Sequence, residues 1–148
     1  GVLVDGAAHP SRVVSSTGTI TLTAPASKVQ VGFTYNSDGQ MLRQDVGAAD
    51  GTAQGKIQRS HRVILRVHDT LGLLTGSGFH TTGPGKLTET TFYRGTTPGD
   101  SMVPLFTGDV EIQWEGSYST ANYVTWRFAG MFPGTVLAVM PQLHTQDR

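Results

Sequence analysis

The stretch from Gly47 to Gly72, GAADGTAQGKIQRSHRVILRVHDTLG, constrains the fold more than any other. In an extended chain Val63, Leu65 and Val67 point to one side, and Arg62, Ile64, Arg66 and His68 to the other. That two-residue period, rich in β-branched side chains and closed by Gly72, predicts a long central strand. The segment before it, with Gly47, Asp50, Gly51 and Gly55, has no apolar period and reads as a structured loop. Asp50 is placed to cap a single helical turn there.

Alternation recurs on both sides of this stretch. Val2–Val4 is a short strand, followed by the hairpin signal Asp5-Gly6. Strands are predicted over Thr17–Thr23, with Ile20 and Leu22 on one face, and over Lys28–Tyr35, with Val29, Val31, Phe33 and Tyr35 on one face. Asn36-Ser37-Asp38-Gly39 reads as a hairpin loop, and Gln40–Val46 as a weaker strand. Leu71–Gly85 reads as a glycine-rich loop, Lys86–Arg94 as a strand and Gly95–Pro104 as a loop. Val110, Ile112 and Trp114 alternate with Asp109, Glu111, Gln113 and Glu115, a strand with an acidic outer face. Tyr123–Phe128 turns Val124, Trp126 and Phe128 inward. Thr135–Met140 is nearly all apolar, and Pro141 is expected to end it. No amphipathic helix of convincing length occurs. The expected fold is all-β, an antiparallel sandwich or open barrel of about eight to ten strands with long Gly-rich loops.

Length and composition narrow the function. The 148 residues suit one domain, 1–148, able to close its own core without a metal or disulfide. With 0 Cys, thiolate metal sites and cysteine nucleophiles are excluded. Eleven basic and eleven acidic residues balance to a net charge of +0, which argues against a nucleic-acid-binding module. No apolar run approaches the ~20 residues of a membrane span, so no membrane anchor is expected. The chain starts at Gly1 rather than Met, which reads as a fragment or processed product.

No pattern for catalysis emerges. His61 and His68 lie an odd number of residues apart on one predicted strand and so are expected on opposite faces; His9, His80 and His144 fall in loops or the tail. There is no His-Glu-x-x-His, calcium loop or Gly-x-Ser-x-Gly, and Gly55-Lys56 is followed by Ile57 rather than Ser or Thr. No enzyme, cofactor or metal is expected. The basic set Lys56, Arg59, Arg62 and Arg66 has two readings. It can pair across strands with the acidic face around Glu111, or it can dock an acidic partner. Ile64 in the middle of that polar face favours an interface formed by Asp50, Lys56, Arg59, Arg62, Ile64 and Arg66.

Three blocks carry a family resemblance. Val31-Gly32-Phe33-Thr34-Tyr35 is one. The most specific is Ala49-Asp50-Gly51-Thr52-Ala53-Gln54-Gly55-Lys56, followed by Arg59, Arg62-Val63, Leu65-Arg66 and Leu71-Gly72. The third is Pro104-Leu105-Phe106-Thr107-Gly108-Asp109, followed by Gly116-x-Tyr118 and Thr135-Val136-Leu137-Ala138-Val139-Met140-Pro141. In order and approximate spacing the chain resembles the C-terminal region of the tail tubular or stabilisation (nozzle or hub) proteins of short-tailed bacteriophages. It departs over Tyr123–Pro133, where Trp126-Arg127-Phe128 stands in place of a more polar strand. The resemblance implies a structural virion protein of the phage or prophage tail, made in the bacterial cytoplasm. Other copies would join it in a ring beside neighbouring tail or adaptor proteins, and genomic DNA would pass through the lumen without sequence-specific binding. It also implies that the chain is a C-terminal fragment of a longer protein. Contacts of that kind draw on ring avidity, so the isolated chain is expected to be a monomer. The alternative is a carbohydrate-binding module for host-surface recognition, with Trp114, Trp126, Tyr118 and Tyr123 as a stacking platform.

Overall fold

The computed structural model describes residues 1–10, 12–45, 51–79, 86–92, 105–112, 114 and 117–146. Among them there is no helix, and ten strands form three antiparallel sheets. In chain order the strands are β1 (Val2–Val4), β2 (Ala7–His9), β3 (Val29–Val31), β4 (Tyr35–Gln40), β5 (Ile57–Thr70), β6 (Leu73–Gly76), β7 (Thr88–Glu89), β8 (Phe106–Ile112), β9 (Thr125–Gly130) and β10 (Thr135–Gln146). Their orders are β2-β1-β3, β10-β5-β8 and β4-β9-β6-β7.

The predicted central strand is β5, 14 residues long and flanked on both sides. Val63, Leu65 and Val67 are fully buried, as their alternation requires. With Val110 and Ile112 of β8, Leu73 of β6 and Val124 they form one core. Trp126 and Phe128 of β9 pack on it from the third sheet, and Val136 and Val139 from β10. The inner faces of two antiparallel sheets thus share a core, which makes the fold an all-β sandwich. The first sheet buries its own small set, Val2, Leu3, Val4 and Ala7. Its β1–β2 turn is the Asp5-Gly6 pair, both at positive φ as a tight two-residue hairpin demands. The Asp5 carboxylate also accepts the backbone N–H of Ser27 and Lys28, at 3.1 and 2.7 Å, and so holds the approach to β3.

Several expectations are corrected. Asn36-Ser37-Asp38-Gly39 is not a loop: it lies inside β4, in regular register with Phe128, Arg127 and Trp126 of β9. Tertiary partners override the turn chemistry there. Arg127 grips Asp38 through two hydrogen bonds of 2.6 and 2.7 Å, and the Trp126 indole lies where a Cβ on Gly39 would sit. Thr17–Thr23 forms no strand, and among the described residues no strand pairs with it. Residues 41–45 are likewise not a strand, although Met41 packs on the core. Leu73–Gly76, expected as loop, is β6, with Leu73 fully buried. Of the expected Lys86–Arg94 strand only Thr88–Glu89 is strand among the described residues, and residues 93–94 lie outside them. Pro141 does not end its strand: β10 runs on to Gln146, with Pro141 opposite Val63. Proline is tolerated there because β10 is an edge strand. The Gly95–Pro104 loop and the helical turn at Asp50 fall on or beside residues outside those described.

Candidate docking surface

The outer face of β5 carries most of the residues singled out for contact. Antiparallel pairing sets Arg66 opposite Asp109 and Ile64 opposite Glu111 on β8. Arg66 donates from Nε and Nη2 to the two carboxylate oxygens of Asp109, at 2.7 and 2.8 Å. Arg62 donates from Nη2 to Glu111 at 2.7 Å. The Arg66 hydrogen bond holds the Asp109 carboxyl below its usual range. Of the two readings of the basic set, cross-strand pairing with the acidic face therefore describes Arg62 and Arg66. Ile64 lies between these ion pairs, half-buried, with Met140 of β10 opposite on its other side.

The remaining candidates are spread along the approach to β5. Arg59 stands over the exposed Tyr118 ring, its guanidinium carbon 5.7 Å from the centroid. Lys56 is half-buried, and its N–H donates to the Ala53 carbonyl at 3.2 Å. Asp50 lies outside the described residues. Asp45 receives the Thr52 hydroxyl at 2.7 Å and the Ala53 N–H at 2.9 Å, closing the loop onto β5. Beneath it Gln58, fully buried, donates Nε2 to the Ala53 carbonyl at 2.7 Å. Asn122 donates to Ser60 at 2.7 Å. This end of the core is polar, and the alternation of β5 did not reveal it.

A register slip explains one further correction. Gln142 pairs with Arg62 and Leu143 with Ser60, so His61 is an extra residue in the ladder. The inward parity passes from Gln58 and Ser60 to Val63, Leu65 and Val67. His61 and His68 are consequently both exposed on the outer face rather than on opposite faces. Among the described residues no group of three His, Asp or Glu side chains could hold a metal ion. A cleft of about 390 Å³ lies between β7 and β8, lined by Thr75, Thr88, Thr90, Glu89 and Glu111. Glu111 is already committed to Arg62.

Of the four aromatics considered for a stacking platform, Trp114, Trp126 and Tyr123 are half-buried and Tyr118 is exposed. Both indoles pack against the core, as their parity suggests, and Tyr118 lies beside Arg59. Among the described residues no helix is long and apolar enough to cross a membrane.

Sequence reasoning missed a group of exposed apolar residues. Seven large apolar side chains between Val13 and Leu42 face solvent: Val13, Val14, Val29, Val31, Phe33, Tyr35 and Leu42. The alternation of Val29 to Tyr35 is real, but among the described residues no sheet covers it. Comparison of the chain with family models, with curated proteins and with solved structures returns no match in any of the three.

Proposed function

We propose that the chain is a structural and assembly domain of a bacteriophage or prophage tail, of the nozzle or tail-tube type. It would contribute subunit contacts to a ring through which DNA exits. The observation that carries this reading is the ordered block from Ala49 to Gly72, with Arg59, Arg62-Val63 and Leu65-Arg66 at their places. The all-β fold, with that block running into its central strand, is compatible with a scaffolding role. The outer face of β5, with Ile64 between two arginine–carboxylate pairs, is the contact surface this reading favours.

The test is localisation. Antibodies raised against the chain should label the tail end of phage particles from the source bacterium in immunogold electron microscopy. Particles that carry no label, with the antigen found only outside virions, would contradict the reading. Within labelled particles, Ile64→Asp should leave the chain folded while lowering the yield of assembled tails. A variant that assembles normally would move the contact away from this face.

A further inference from the structure

We propose that the polar end of the core, where residues 51–56 close onto β5, binds an internal water molecule through the side-chain amides of Gln44 and Gln58. The inference does not rest on the virion assignment, since it concerns only how this loop is held to the central strand.

The first argument is burial without partners. Gln58 is fully buried and Gln44 is 8% exposed. Oε1 of Gln58, and both Oε1 and Nε2 of Gln44, are closed off from bulk solvent and have no hydrogen-bond partner among the described residues. An amide shut away in this way loses its hydration and gains nothing in return. Protein interiors offset that loss with ordered water, which makes about three bonds to such groups.

The second argument is that the Gln58 amide cannot turn over to find a partner. Its Nε2 donates to the Ala53 carbonyl at 2.7 Å and faces the Gln44 carbonyl at 3.4 Å. Exchanging the two ends of the amide would set Oε1 against two carbonyl oxygens, so Oε1 is the atom left over. The backbone N–H and C=O of Gln58 are both engaged by Ser119, at 2.9 and 2.8 Å. The neighbouring Asn122–Ser60 bond of 2.7 Å uses neither glutamine.

The third argument selects the ligand. The free atoms are two acceptors and one amide donor. A cation would serve the two oxygens and be opposed by the N–H group. An anion would serve the N–H group and be opposed by the oxygens. Water donates two bonds and accepts from the amide at the same place. Asp45, beside Gln44 in the chain, already holds both carboxylate oxygens against Thr52 and Ala53, at 2.7 and 2.9 Å. The water is thus the joint between the segment before the loop and the strand after it, and it accounts for a polar end on an otherwise apolar core.

Nuclear magnetic resonance of the full chain tests this. Side-chain amide protons of Gln44 and Gln58 should show cross-relaxation with water of the sign given by a molecule that stays bound longer than the protein tumbles. Water-oxygen relaxation dispersion should report a long-lived internal water. Gln44→Met, which keeps the length of the side chain and removes the amide, should abolish that contribution, while Gln142→Met at an exposed position should leave it unchanged. The first readout needs no substitution, so it decides even where a variant fails to fold. Absence of water cross-relaxation at both amides overturns the proposal. So does a through-bond correlation showing Gln44 Nε2 donating directly to Gln58 Oε1, or a dispersion that a folded Gln44→Met chain retains in full.

Discussion

The β5 sheet and the stretch from Val13 to Leu42 use similar residues to opposite ends. In β5, alternation turns Val63, Leu65 and Val67 into a core fully closed by the facing sheet, while Arg62 and Arg66 find carboxylates on β8. In Val29–Tyr35 the same alternation turns Val31 and Phe33 into water. The local pattern is alike in both; only the supply of neighbours differs. A two-residue apolar period therefore specifies an extended chain with one sticky face. Whether that face becomes core or contact surface depends on what the rest of the fold brings to it.

The contrast predicts very different responses to truncation. Leu65→Ala removes a fully buried side chain at the centre of the core and should cost about 2–5 kcal/mol, measured by denaturant unfolding. A loss near zero would mean that β5 is not the structural centre.

Gly39 tests the strand that replaces the expected hairpin loop. A Cβ there would meet the Trp126 indole, so Gly39→Ala should destabilise by about 1–3 kcal/mol through overpacking. In a Trp126→Ala background the same change should cost much less, and a double-mutant cycle would expose the coupling. Additive effects would contradict the packing of Trp126 over β4.

These two sites also show how much of the fold was legible in the chain. The core of β5 could be read directly, because Val63, Leu65 and Val67 keep one parity and because Asp109 and Glu111 supply charges opposite to Arg66 and Arg62. Asn36-Ser37-Asp38-Gly39 could not. Its turn chemistry is genuine, but Arg127 and Trp126, almost ninety residues away, hold it extended. The bulge at His61 was also hidden, because the slip is set by pairing with β10. Thr17–Thr23 carries a strand pattern without a partner strand among the described residues. Of the contact residues, Arg62 and Arg66 could be placed on the outer face from parity alone. The exposure of Phe33 could not, since a solvent-facing row and a core-facing row have the same period.

Acid should separate the regions through their ion pairs. Hydrogen bonds from Arg127 and Arg66 hold the carboxyls of Asp38 and Asp109 below their usual range. A carboxyl with a depressed folded-state pKa contributes stability that is present above its unfolded pKa, about 4. That contribution is lost as pH falls through the folded-state value. Stability should therefore decline below about pH 4, and Asp38→Asn or Asp109→Asn should make that decline shallower. An unchanged acid limb in both variants would show that the pairs contribute nothing to folding. The smallest effect is expected at the exposed row: Phe33→Ser should change the stability of the dilute chain by no more than about 0.5 kcal/mol.

Hydrogen exchange puts the contrast to its most direct test. The amides of β5 should be strongly protected, because their partners on β8 and β10 belong to the same chain. The amides of the edge strand β3 that turn away from β1 should exchange quickly. Protection of those β3 amides that equals that of β5 would contradict the division of this molecule into a closed core and an open edge.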